Sequence, residues 1–576
     1  MVRAFARLCV PFLLLASALS GQQVPATKAG QLPQSKDTCS IGGLVVKAST
    51  GEPIKKAGVY LQVTDDPRSG YSAHTDATGH FAIDRIEPGR YRLQVEHTGY
   101  LSQSYGETSS ANSSAVLTLG PGREMKDLLF RLSSWAVISG RVSDENGEPL
   151  PNVSVEALRN SVNEGKRALE ALGSAETNDL GEFRLYGLAK GRYLVRAQVR
   201  ERWHRVLAPL NRDDASTDDS GYAPVYYPGT PDETRAAAID VANGQEVPAV
   251  DFTLIPIRTF RVRGHVFDAT LGQPAKDCFV MLIHRDTNMS SFFLSRQGNT
   301  MCQKGTFEFT DVPPGAYYVV ANTFGSGKQR SARAPLEVEN TNVNDISVTI
   351  VRGTSLTGRI LVEGREAVDF SEVHVWLSDP EQYFNGGAGA VVKSDGTLTI
   401  EDISEGNYRI EVQGFPPGYS PDFYTKDALV NGESVLDKGL AIAAGSSRGP
   451  LEIVVSSAGA RVDGTVSDEN DLPGVGAVVA LVPDEARRKQ FRLYKTATTD
   501  QYGKFIMRGI APGKYKLFSW KNVENNGWED PDFLKPFEDQ GAEITAEESG
   551  HISIQVKLIP TDKPKQGPMS FSAQST

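Results

Sequence analysis

Thr75-Asp76-Ala77-Thr78-Gly79-His80-Phe81-Ala82-Ile83-Asp84-Arg85-Ile86-Glu87-Pro88-Gly89-Arg90-Tyr91-Arg92-Leu93 decides the fold, because it returns four more times along the chain. It reads as turn, strand, turn, strand. The later copies run Thr177-Asn178-Asp179-Leu180-Gly181-Glu182-Phe183 to Tyr193, Cys302-Gln303-Lys304-Gly305-Thr306-Phe307 to Tyr317, Ser394-Asp395-Gly396-Thr397-Leu398 to Tyr408, and Thr499-Asp500-Gln501-Tyr502-Gly503-Lys504-Phe505 to Tyr515. In every copy the Phe or Leu precedes the Tyr by ten residues and the Tyr follows a Gly by two. The Asp or Asn side chain is expected to accept a bond from the backbone two residues on, with the Gly at positive φ. The Phe is expected to point inward and the Tyr to tie the corner with its hydroxyl. In the last copy Ile506 reads as the second inward residue, one position out of phase.

Working outward, each copy follows an opening strand marked by a Gly: Gly43, Gly140, Gly264, Gly358 and Gly464, at intervals of 97, 124, 94 and 106 residues. Turns such as Gly51-Glu52-Pro53 and Asn146-Gly147-Glu148-Pro149 come next, then an alternating strand such as Val59-Tyr60-Leu61-Gln62-Val63. A period of about 100 residues is long enough for each copy to close its own core, unlike the shorter solenoid repeats. The reading is all-β, a tandem array of five Greek-key (Ig-like or prealbumin-like) β-sandwich modules: 39–133, 134–256, 257–352, 353–457 (divergent) and 458–561. In the second module, 163–172 reads as an insertion able to make two helical turns. Links as short as Ser133-Ser134 predict a semi-rigid, monomeric rod, on the order of 150–170 Å long if the modules stack end to end.

A chain of 576 residues, with 39% hydrophobic residues, 55 Gly and 32 Pro, suits several turn-rich globular β modules rather than a disordered chain. The net charge of −11 and the absence of a Lys/Arg run argue against nucleic acid. Arg3 and Arg7, an apolar run from Leu8 to Leu19 and small residues from Ala16 to Gly21 form a signal-peptide layout over 1–21, cleaved between Ala18 and Gln22. The alternative is a membrane anchor, for which the run is short. A linker over 22–38 and a disordered tail over 562–576 flank the modules, and no transmembrane segment is expected in the mature chain. The predicted destination is outside the cytoplasm: periplasmic, cell-surface or extracellular. There Cys278 and Cys302, in one module, are disulfide candidates, and Cys39 is left over.

The pattern Gly-x-Val, Gly-x-Pro, Thr-Asp-x-x-Gly-x-Phe and Pro-Gly-x-Tyr-x-Leu/Val resembles the carboxypeptidase regulatory-like domain, a transthyretin-like Greek-key sandwich also classed with carbohydrate-binding-like folds. The resemblance runs through all five copies and is weakest in the fourth, where Leu398 stands for the Phe. It implies the fold, and fold alone does not fix function. In the similar B-type repeats of collagen-binding adhesins, a Glu after Tyr-x-Leu-x assists an isopeptide crosslink. Here the matching positions are Val95, Ala197, Val412 and Ser519, which cannot assist one.

No catalytic motif accompanies the fold. None of the eight His opens a His-x-x-Glu, and there is no HExxH helix, GxSxG elbow or phosphate-cradling Gly loop, so neither enzyme activity nor a cofactor is expected. Asp144-Glu145-Asn146-Gly147 and Asp468-Glu469-Asn470-Asp471 resemble small calcium loops, against which stands the simpler reading of solvated hairpin tips. The one candidate ligand site is Trp203, Tyr222, Tyr226 and Tyr227, aromatics beside carboxylates that could stack on a sugar. The alternative is that these rings close the end of the sandwich. Trp520 and Trp528 form a second, weaker platform. Two functions follow: a non-enzymatic binding protein for a polysaccharide, glycan or surface, or a spacer or scaffold that meets an envelope protein.

Overall fold

The computed structural model describes residues 38–64, 66–107, 114–199, 220–276, 278–285, 296–323, 330–364, 368–379, 388–415, 422–443 and 449–560. Residues 1–21, the expected leader, lie outside them. The fold is all-β, as the alternation predicts.

The first sandwich sets the plan. One sheet holds strands His80–Ile86, Cys39–Lys47 and Glu124–Leu132, the opening strand in the middle, antiparallel to the first and parallel to the last. The facing sheet centres on Gly58–Val63 and Gly89–Glu96, with Asp66–His74 on one side and Gln103–Ser104 and Val116–Leu119 on the other. The chain therefore changes sheet repeatedly, and Ile41, Val45, Leu61, Ile83, Leu93 and Leu117 meet between the layers. Four further large clusters of buried apolar side chains, each between two sheets, follow the same plan along the chain.

The opening-strand glycines have a steric reason. A Cβ on Gly43, Gly140 or Gly264 would lie 2.1, 2.1 and 2.2 Å from the carbonyl oxygen of Leu128, Val250 and Ile346 respectively, on the neighbouring closing segment. Backbone cannot yield that space as a flexible side chain would.

The repeated turn behaves as expected. The Oδ1 of Asp76, Asn178 and Asp500 accepts from the amides of Thr78, Leu180 and Tyr502 at 2.8, 3.0 and 2.9 Å. The hydroxyls of Tyr91, Tyr193, Tyr317, Tyr408 and Tyr515 donate to the carbonyls of Glu87, Ala189, Pro313, Ser404 and Ala511, at 2.6 to 2.9 Å. Burial pushes the Tyr91 and Tyr408 phenols up to about 12. Phe505 and Met507 face the fifth core while Ile506 is only partly buried, so the last copy is in phase after all. Strand alternation, rather than the run of apolar letters, sets the face.

Beside the turn, Thr75, Thr177 and Thr499 are buried staples. Thr75 Oγ1 donates to Ile54 O at 2.7 Å and accepts from Ala57 N at 2.8 Å, and Thr177 and Thr499 repeat the pair of bonds with Leu150/Val153 and Gly474/Ala477. In the third sandwich Cys302 takes this place. Its amide donates to Cys278 O, the bond that Thr75 makes to Ala57. The two cysteines are bridged, with Cα atoms 5.2 Å apart.

Two expectations give way. Residues 163–172 are not helical: Val153–Asn163 and Lys166–Glu176 form a hairpin paired from Ser154↔Glu176 to Asn163↔Lys166, with one register shift between Ala157 and Leu158. Glu164 at φ 50° and Gly165 at φ 67° form its two-residue turn, and cross-strand pairing overrides the helix propensity of the Ala/Leu/Glu letters. The end-to-end stack also gives way, because the array folds back on itself. Val116–Leu119 is an edge strand, and its free backbone groups are met by the fifth sandwich. Val116 N donates to Thr499 O at 3.3 Å, Gln501 holds both the amide and the carbonyl of Thr118 at 3.0 and 2.7 Å, and Thr118 Oγ1 donates to Asp500 at 3.1 Å. The hairpin of the second sandwich reaches the fourth and fifth: Glu164 pairs with Arg409, its amide donates to Glu529 at 2.8 Å, and Arg167 meets Asp530 at 2.6 Å.

Gly140→Ala should cost roughly 1–3 kcal/mol in the second sandwich, and Tyr193→Phe about 1 kcal/mol. Hydrogen-exchange mass spectrometry should show faster exchange in 136–143 and 182–199, with the third sandwich unchanged; unaltered rates would contradict the steric and hydroxyl roles. In solution scattering, the full chain should have a maximum dimension well below the roughly 150 Å of a stacked rod.

Candidate functional site

Trp203 lies outside the described residues. The other three members of the expected sugar platform do not form one. Tyr226 is 8% exposed, with Arg196 5.9 Å from its ring centre, above the buried Arg196–Glu156 ion pair. Tyr227 packs on the second core, edge-on to Phe252 at 6.1 Å, and Tyr222 also rests on that core from a short strand paired with Pro256–Arg258. Trp520 and Trp528 are likewise consumed, inside an apolar cluster with Phe518, Leu534 and Phe537 that covers the outer side of the fifth sandwich. Rings so placed keep their faces for neighbouring side chains. Sequence cannot separate them from ligand platforms, because an aromatic in a loop serves either end.

The two acidic tips are hairpin turns. Asp144 Oδ1 accepts from the amides of Asn146 and Glu148, and Asp468 Oδ1 from those of Asn470 and Leu472. Their oxygens serve the turn, and among the described residues no group of three or more His, Cys, Asp or Glu could hold a metal ion.

A platform that the sequence did not single out stands on the fourth sandwich. Its outer sheet runs Ala388–Val391, His374–Ser378, Gly406–Gln413 and Leu440–Ile442. Val375 and Leu377 are buried, so strand alternation turns His374, Trp376 and Ser378 outward. Trp376 is 42% exposed, the one exposed tryptophan among the described residues. Its six-membered ring lies over Gly389, where a Cβ would come within 2.6 to 3.0 Å of three ring atoms. The glycine lets the indole lie flat against the edge strand. His374 stacks beside it, 6.4 Å between centroids at 18°.

Directly across the sheet from Trp376 stands Glu411, and across from His374 stands Gln413. Glu411 is held by Ser378 Oγ at 2.8 Å and by Gln413 Nε2 at 3.3 Å. Val391, 55% exposed, extends the apolar surface next to His374. The result is a flat aromatic face with an oriented carboxylate and amide at its side. The signal in the sequence was a Trp within the alternation Val373-His374-Val375-Trp376-Leu377, and the contribution of Gly389 comes from a neighbouring strand.

The cysteine pair of the third sandwich gives a direct chemical test. Denatured but unreduced chain beginning after residue 21 should take up one equivalent of iodoacetamide, at the buried Cys39, and two more after reduction. Three equivalents without reductant would refute the bridge.

No curated protein matches the chain. Among solved structures, it is similar to the Bacillus anthracis TIE protein at 12% identity and TM-score 0.15, over 55% of this chain and 51% of that one, so it spans about half of that relative. A minor pilin of Streptococcus agalactiae matches at 13% identity and TM-score 0.22, over 38% of this chain and 98% of the pilin. The major pilin subunit of Bacillus cereus matches at 10% and 0.14, over 54% and 99%. Likenesses this weak carry no functional weight. Among the described residues no helix is long and apolar enough to cross a membrane. Residues 40–121 and 137–254 match the carboxypeptidase regulatory-like domain, so this is a β-sandwich repeat chain whose first two sandwiches are similar to that domain.

Proposed function

We propose that the protein is an exported, non-enzymatic binding protein that takes a polysaccharide chain on the outer face of its fourth sandwich. The observation that carries this reading is the Trp376 indole, flat over Gly389 with its other side exposed. A pyranose ring presents a CH face that stacks on such a surface, while its hydroxyls are met by an adjacent carboxylate and amide, here Glu411 and Gln413. A flat face without walls suits an internal stretch of an extended chain, because nothing closes around a chain end. The arrangement supplies no pair of free carboxylates facing each other across a cleft, as glycosidic hydrolysis would need.

A scaffold that meets an envelope protein is the second reading, supported by the folded-back contacts that hold distant sandwiches against one another. The two separate by experiment. Mature protein passed over insoluble cellulose, chitin, xylan and peptidoglycan should be retained saturably on at least one. Trp376→Ala should weaken that retention roughly 30-fold, as loss of a dominant aromatic contact does. Gly389→Val should weaken it too, because the added side chain lifts the indole off the strand. Absence of retention on all four, with crosslinking to one envelope protein, would replace this reading with the scaffold.

A further inference from the structure

The fold-back creates a second, unrelated feature. Where the first sandwich meets the fifth, a cavity of about 560 Å³ opens, between Arg90 and Thr118 on one side and the outer face of Ala460–Ser467, Lys504–Ile510 and His551–Lys557 on the other. That volume is within the range of small-ligand sites. Strand register arranges its floor in rows. Lys504, Thr465 and Gln555 stand side by side across the three strands, and Ile506, Asp463 and Ser553 form the next row.

The charges there are unequally engaged. Both carboxylates are occupied: Asp500 by the amides of Tyr502 and Lys504 and by Thr118 Oγ1, Asp463 by Arg461 Nε and His551 Nε2, each at 2.7 Å. Burial alone would raise the Asp463 carboxyl, but the bonds from Arg461 and His551 outweigh it and hold it below its ordinary value. It therefore stays ionised and paired. Arg90 and Lys504, by contrast, have no side-chain partner among the described residues, and neither do the hydroxyls of Thr465 and Ser553 or the amide of Gln555. Three cations and two satisfied carboxylates leave the cavity positive within a chain of net charge −11. A concave positive site with unspent donors attracts anions, and charge-assisted bonds hold them.

We propose that this junction binds a small hydroxylated ligand carrying one oxyanion, with the oxyanion between Arg90 and Lys504 and the hydroxyls against Thr465, Ser553 and Gln555. Arg90 belongs to the first sandwich and Lys504 to the fifth, so the ligand also clamps the fold-back.

The test is titration calorimetry of the mature full chain with glucuronate, glucose 6-phosphate and neutral glucose, paired with hydrogen exchange. At least one anionic probe should bind saturably, and glucose should not. Which of the two binds identifies the oxyanion as carboxylate or phosphate. Arg90→Gln and Lys504→Gln should each weaken binding roughly tenfold or more, and both side chains are free of structural bonds, so the variants should keep the wild-type circular dichroism. Bound probe should slow exchange at 114–119 and 499–504, a response that a weak surface ion would not give. Trp376→Ala should bind the same probe unchanged, which separates this site from the polysaccharide face. Failure of both anionic probes, equal binding of glucose, or wild-type affinity in the double variant would each overturn the proposal.

Discussion

A phenol hydroxyl reaching back four residues to a carbonyl is the constraint on which the rest depends. In all five copies the Tyr ring is at most 3% exposed and its hydroxyl ends on the carbonyl that precedes the Gly turn. A buried phenol without a partner is costly, so the turn must keep the one geometry that supplies it. That geometry sends the chain from one sheet to the other, and everything placed later in each copy inherits its direction. The remaining devices guard the same corner: the Asx turn before the Phe, the glycine beneath the closing segment and the Thr staple beside the turn. Where the staple is lost, something else substitutes. Cys302 and its bridge to Cys278 occupy the place in the third sandwich, and buried Val392, whose amide donates to Val373 O, occupies it in the fourth.

Much of this was legible in the letters because its causes are local. Positive φ calls for Gly, an Asx turn for Asp or Asn, and alternation for period two, and these recur within twenty residues of one another. Where reading failed, the cause lay further away. Lys166 to Leu172 carries helix-forming letters, yet the partner strand across the hairpin turn decides its conformation. Tyr226 looks like a platform until Arg196 and Glu156, thirty and seventy residues earlier, close over it. Trp376 was visible only as one more alternating residue, since its value comes from a glycine on a neighbouring strand.

The rod expectation failed for a related reason. A short link restricts how two neighbouring sandwiches turn, but it does not say which way the array bends over several links. That is decided by edges. The strand Val116–Leu119 would leave backbone donors and acceptors open, and the side chain of Gln501 answers a donor and an acceptor of the same residue, Thr118, as a neighbouring strand would. A contact that satisfies two backbone groups at once has a geometric demand that a surface salt bridge lacks, which makes it the stronger determinant of how the array bends.

The fold-back also changes where binding can occur. In an extended array, the variable loops at the sandwich ends would be the natural sites for ligands. Here the most distinctive of them, the tip at Glu164 and Arg167, is committed to Arg409, Glu529 and Asp530. Burial is the main effect on Glu529, pushing its carboxyl above the ordinary range, although the contact as a whole is only partly buried. Among the described residues, sheet surface and the spaces that docking creates stay open to ligands. The two features argued above are one of each: an indole laid flat on a sheet of the fourth sandwich, and a positive cavity that exists only because the first sandwich rests on the fifth. Single sandwiches cut from the chain would keep the first and lose the second, so the array is more than a string of equivalent copies.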